Sequence, residues 1–136
     1  MATTHEIEPG RRIDLEREVV GVDRTDRVAR LVEQHPGRPP QRIDGFTIGA
    51  ARITGDAPHD GEMHPDGDEL LYLISGAVTV TLELSTGDVG VDLGAGDALV
   101  VPTGVWHQIT MREPGQLIHI TPGPNGDARF LADPAR

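Results

Sequence analysis

The stretch Val78-Thr79-Val80-Thr81-Leu82-Glu83-Leu84 decides the fold, together with the turn Ser85-Thr86-Gly87-Asp88 and the segment Val89-Gly90-Val91-Asp92-Leu93 that follows. Apolar residues occupy every second position on both sides of the turn. Successive side chains of a strand point to opposite faces, so this period gives each segment one apolar and one polar face. A helix would repeat every 3.6 residues instead, and this half of the chain is not a helical bundle. Gly87 supplies the dihedral freedom of a hairpin turn. Gly94-Ala95-Gly96-Asp97 turns the chain again.

Further strands follow outward from this hairpin. Phe46 to Ile53 reads as a strand, and Glu69 to Ser75 is a nearly continuous apolar run ended by Gly76. Ala98 to Val101, Val105 to Arg112 and Gln116 to Thr121 complete the series. Short strands at regular spacing, separated by glycine turns, predict a closed or double-sheet antiparallel barrel. The expected fold class is all-β.

Composition agrees with one such unit. A chain of 136 residues has room for one domain and one core. Only 3% of residues are aromatic, so Val, Ile and Leu must fill that core. The 17 Gly and 11 Pro favour many turns and short strands over long helices. There is no Cys, which removes disulfides, thiolate metal sites and a cysteine nucleophile together. No apolar run approaches the roughly 18 residues that span a bilayer. The N-terminus lacks the basic cluster and apolar block of a signal peptide, so the expected location is cytoplasmic. A net charge of −10, with no Lys, argues against nucleic-acid or anionic-membrane partners, which need clustered positive charge.

Residues 1–44 form an N-terminal extension, 45–122 the barrel and 123–136 a C-terminal tail. Within the extension, Val28, Leu31, Val32 and His35 fall at helical spacing, with Thr25 or Asp26 as a cap. One short amphipathic helix is expected there. Glu18 to Val22 is expected to be an extended strand on a barrel edge. His5 and His35 read as surface residues.

Two clusters carry chemistry. In Glu62-Met63-His64-Pro65-Asp66-Gly67-Asp68-Glu69, Glu62 and His64 are two apart, so on a strand both face one way. Glu69 opens the next strand across a tight turn containing Gly67. In Gly96-Asp97-Ala98-Leu99-Val100-Val101-Pro102-Thr103-Gly104-Val105-Trp106-His107, Pro102 and Gly104 fix a bend ahead of His107.

These clusters resemble the paired motifs of the cupin superfamily. His64, Glu69 and Gly76 match the second His, the Glu and the closing Gly of the first motif; Gly96, Pro102, Gly104 and His107 match the second motif in register. The resemblance spans roughly residues 45–122 and implies a double-stranded β-helix, the jelly-roll barrel. Two departures stand out: Glu62 occupies the place of the usual first His, and Met111 that of the usual terminal Asn. The Gly that opens the first motif is also absent, Gly55 lying one residue early. Carried over residue by residue, the implied ligand set is Glu62, His64, Glu69 and His107, with His59 as the rival for the vacant position. Carboxylate and imidazole both suit Fe, Mn, Ni, Co and Zn as divalent ions, so the implied cofactor is one such transition metal. Two carboxylates would neutralise a dication and raise the pKa of bound water relative to a three-His site.

Parity places the rest. If His107 points inward, so do Ile109 and Met111; if Glu69 does, so do Leu71 and Leu73. These four would back the metal with an apolar wall suited to a small, partly apolar substrate or ligand. His119 shares the inward parity and is the candidate proton-transfer residue. Tyr72 and Trp106 read as core or covered outer-face residues. The implied activity is a metal-dependent enzyme of oxygenase, isomerase or lyase type, with a non-catalytic ligand-binding or metal-binding module as the alternative. Exposed barrel edges are an aggregation liability, so a homodimer is expected, with residues 13–22 covering or exchanging an edge.

Overall fold

Two long antiparallel strands carry the architecture of the computed structural model, which describes residues 2–129. They are β6 (Glu69–Leu84) and β9 (His107–Gly123). The sequence divides each into two strands, but each runs through, with register shifts between Leu73 and Val78. The backbones crowd at that point. A Cβ on Gly115 would lie 1.9 Å from the Ser75 carbonyl oxygen, and one on Gly76 (φ 85°) 2.5 Å from that of Pro114. Only glycine allows this approach, and the irregularity redirects both strands from one sheet into another.

The remaining strands are β1 (Thr4–Glu6), β2 (Val19–Asp23), β3 (Ala29–Val32), β4 (Gly45–Ile53), β5 (Glu62–Met63), β7 (Gly87–Gly94), β8 (Ala98–Val101) and β10 (Asp127–Ala128). Their pairings form two antiparallel layers. One runs β1-β3-β2-β4, then the second half of β9, the first half of β6, and β8. The other runs β10-β5, then the first half of β9, the second half of β6, and β7. Between them lie Ile53, Leu71, Leu73, Val78, Val80, Leu82, Leu93, Val101 and Leu117, all buried. Full burial of each such side chain is worth about 2 kcal/mol, so this aliphatic filling does the work that the scarce aromatics do not.

The expected N-terminal helix is absent; no helix occurs among the described residues. Asp23 accepts hydrogen bonds through Oδ1 from the backbone N–H groups of Thr25 (2.7 Å) and Asp26 (3.2 Å), and Arg27 takes a left-handed φ of 61°. The intended helix cap is therefore a hairpin turn, and Ala29–Val32 pairs with β2. Four residues at helical spacing cannot offset the cost of nucleating a helix when a neighbouring strand offers a ladder. Val20 to Asp23 is extended and pairs with β4 as expected, but β3 pairs along its other side, so β2 is an inner strand and β1 is the edge. Of the expected tail, residues 123–129 include β10, and residues 130–136 lie outside the described residues. No helix of the described residues is long and apolar enough to cross a membrane.

Candidate metal centre

β6 and β9 are antiparallel, so their first residues lie at opposite ends of the β6–β9 ladder. The glycine crossing at its middle passes each strand from one layer to the other, and the two ends meet face to face. Glu69 starts β6, His107 starts β9, and Glu62 on β5 pairs directly with His107. His64 follows β5 in a loop rather than on the strand, and its carbonyl accepts a hydrogen bond from the Gly104 N–H at 2.8 Å. Gly104 has a left-handed φ of 73°. Asp68 Oδ1 accepts bonds from the Thr103 N–H (2.8 Å) and hydroxyl (2.7 Å). These contacts tie the loop before Glu69 to the bend before His107, so the two clusters are held together by backbone.

Glu62, His64, Glu69 and His107 each offer one ligand atom within 4.8 Å of all the others. His107 Nε2 lies 3.0 Å from Glu69 Oε1 and 3.6 Å from Glu62 Oε1. His64 Nε2 lies 3.3 Å from Glu69 Oε2 and 3.8 Å from Glu62 Oε1. His64, Glu69 and His107 side chains are at most 4% exposed, whereas Glu62 is 28% exposed and forms the solvent side of the group. His59 stands behind Glu62, its Nε2 3.8 Å from Glu62 Oε2, and is outside the four-residue group.

The chemistry of the group fits a divalent ion. Although the approaches are short, His64 Nε2, His107 Nε2 and Glu69 Oε1 are buried without an aligned hydrogen-bond partner. Buried polar atoms seldom go unpaired, and three converging on one point is the arrangement a cation would satisfy. His107 Nδ1 faces the Val105 carbonyl at 3.4 Å, a contact that favours the tautomer with the Nε2 lone pair turned inward.

The metal-free electrostatics follow from mutual contact. Burial pushes Glu69 up, but the adjacent His107 and His64 outweigh it and hold the carboxyl at about 2. Glu62 is likewise driven down against its own burial by His107 and His64. Burial opposes the charge on His107, yet Glu62 and Glu69 raise it to about 9, and His64 is raised for the same reasons. The two carboxylates thus favour the charged form of both imidazoles, and a bound cation would compete with those protons.

Leu71 and Leu73 lie in the buried core, and Ile109 and Met111 pack against it. His119 shares the inner face of β9 with Leu117 and Thr121, and Gly49 on β4 sits opposite its ring, where a Cβ would come within 2.8 Å of Nε2. Burial lowers the His119 pKa. Tyr72 is 39% exposed on the outer face of β6, which does not match a core role. Trp106 stacks under the Arg129 guanidinium, 4.2 Å from its ring centroid, and Arg129 pairs with Glu83.

Two features escaped sequence reading. Thr121, fully buried, donates its hydroxyl to Glu69 Oε2 at 2.6 Å and lies 3.1 Å from His119 Nδ1. Inward parity from His119 could have flagged it; the contact to Glu69, far away in sequence, could not. The other is β10, which pairs with β5 and brings Gly126 beside His64 Nδ1.

A family model described as "Cupin domain" matches residues 54–123, just over half of the chain. Among solved structures, a cupin-2 domain containing protein from Shewanella frigidimarina is 23% identical, with a TM-score of 0.50 over 67% of this chain and 84% of that one. Peruvianin-I, a cysteine peptidase from Thevetia peruviana latex, is 17% identical, with a TM-score of 0.55 over 65% and 58%. A variant of oxalate decarboxylase from Bacillus subtilis is 19% identical, with a TM-score of 0.51 over 61% and 23%. The chain thus spans less than two thirds of the latter two proteins. A search of curated proteins found no match. These likenesses concern the fold alone: a cysteine peptidase resembles a chain that has no cysteine.

Proposed function

The chain belongs to the cupin family, and from that premise we propose that it is a metal-dependent enzyme acting on a small, partly apolar substrate, by oxygenase, isomerase or lyase chemistry. The observation that carries this reading is the group Glu62, His64, Glu69 and His107, with its buried, unpaired Nε2 and Oε1 atoms. These four would hold one divalent ion of Fe, Mn, Ni, Co or Zn, in keeping with their mixed imidazole and carboxylate donors. Such an ion polarises a substrate oxygen and stabilises charge that develops on it.

The chain's own residues supply the rest. Glu62, half-buried on the solvent side, faces the approach of a substrate. Leu71, Leu73, Ile109 and Met111 would form the apolar wall behind the ion. His119, whose pKa burial lowers, is available as a neutral base for proton transfer. A second reading, a module that binds metal or ligand without turnover, is favoured by one observation: Leu71 and Leu73 are 2% and 0% exposed and packed into the core.

Turnover separates the two. The metal-loaded protein should consume oxygen or convert substrate within a panel of small diketones, phenols and hydroxy acids, and His119→Gln should slow it without releasing the metal. Ligand binding with no turnover across the panel, for every loaded metal, would support the module instead.

The reading includes a cytoplasmic homodimer. Its support is an uncharged outer-face row across six strands: Val100, Leu70, Ile120, Ile48, Val20 and Leu31. Tyr72 and Val100, 39% and 51% exposed, lie in or beside it. In a chain of net charge −10, this row sets no like charge against a second copy. A light-scattering mass equal to the monomer contradicts the dimer.

A further inference from the structure

The wall beside Glu69 contains a built hydrogen-bond chain. Thr121 Oγ1 lies 2.6 Å from Glu69 Oε2 and 3.1 Å from His119 Nδ1. Thr47, also buried, bonds the Thr121 carbonyl at 3.4 Å and receives the Arg42 guanidinium at 3.3 Å. A hydroxyl has one proton to give. The Thr121 hydroxyl gives that proton to Glu69 Oε2. Nδ1 of His119 must then be the donor to Thr121, which fixes the ring as the tautomer with its lone pair on Nε2.

The two oxygens of Glu69 are consequently unlike. Oε2 accepts from a buried hydroxyl and stands 3.3 Å from His64 Nε2, while Oε1 is buried with no hydrogen-bond partner and stands 3.0 Å from His107 Nε2. We propose that Thr121, oriented by His119, is a positioning residue that holds Glu69 so that Oε1 alone is presented to the metal. This rests on the metal-binding reading above. The hydroxyl takes up a lone pair of the second oxygen and would disfavour chelation by Glu69, which would leave a coordination position for substrate. Partners that orient a ligand from behind typically change metal affinity by roughly 10–100-fold when removed.

Co(II) titration of the full-length chain, read by its visible spectrum, tests this without recourse to activity. Four- and five-coordinate Co(II) absorbs more strongly than six-coordinate Co(II), so the spectrum reports how many donors Glu69 contributes. Thr121→Val, which keeps the shape and removes the hydroxyl, is expected to weaken Co(II) binding by roughly 10–100-fold and to change the band intensity. Thr121→Ser, which keeps the hydroxyl, is expected to match the wild type in both. A Thr121→Val protein with wild-type affinity and spectrum overturns the proposal while leaving the metal reading intact. So does a folded Thr121→Ser protein with altered affinity or spectrum, an arm that holds even if the valine variant does not fold. Wild-type protein that binds no Co(II) overturns the metal reading and this proposal together.

Discussion

At the middle of the β6–β9 pair, the backbones of Ser75–Gly76 and Pro114–Gly115 cross with no space for a Cβ. The two outer ends of the same pair begin with Glu69 and His107, 3% and 1% exposed, which meet face to face and press ionisable groups together. The first region is backbone crowding that this topology needs. The second is charge burial that costs stability unless protons or a cation compensate it. One pair of strands therefore separates a folding constraint from a chemical one, and substitutions in the two regions should fail in different ways.

The largest effect belongs to the crossing. Gly115→Ala would push a methyl into the Ser75 carbonyl, 1.9 Å from its oxygen, and is expected to cost about 3 kcal/mol or more in denaturant unfolding. An unchanged midpoint would mean that the crossing is not a tight constraint. In the charged group the loss should appear in binding instead. Glu62→Ala is expected to weaken divalent-metal binding by roughly 10–100-fold, because it deletes a donor and half of the compensating charge. Glu62→His should bind as well as the wild type or better, since imidazole is the alternative donor of the same ions. Equal calorimetric affinity for all three proteins removes Glu62 from the ligand set.

A smaller, graded effect comes from pH, and its sign differs between metal-free and loaded protein. His107 is raised from 6.5 to about 9, so its contribution to metal-free stability is complete below 6.5 and is lost as pH rises through 9. Glu69 is lowered from 4.5 to about 2, so its contribution is present above 4.5 and is lost as pH falls through 2. Metal-free melts should therefore show the cluster's support fully between 4.5 and 6.5. Metal affinity should instead climb from 6.5 to 9, by up to roughly tenfold per pH unit for each imidazole proton displaced. Parallel trends in the two measurements would show that the imidazoles are not the competing ligands.

The two regions were also unequally legible in the sequence. His64, Glu69 and Gly76, and Gly96, Pro102, Gly104 and His107, announce themselves because a motif is a local spacing, and local spacing survives in one dimension. The period of two from Val78 to Leu93 was legible for the same reason. What the sequence hid was long-range. Nothing local says that Gly76 and Gly115 touch, so β6 and β9 read as broken strands rather than continuous ones. Thr121 reaches Glu69 only through adjacency of β6 and β9. The N-terminal helix failed because Val28, Leu31 and Val32 satisfy helical spacing over too few residues, while the Asp23 turn and the open edge of β2 favour a hairpin.

The central claim, that Glu62, His64, Glu69 and His107 hold a divalent metal, is met most directly by elemental analysis of protein purified without an affinity tag from cells supplied with Fe, Mn, Ni, Co and Zn. The account predicts about one transition-metal ion per chain, lost in Glu69→Gln, since each of the four side chains offers a single ligand atom to one common point. Metal content near zero in the wild type under all of these conditions would contradict it.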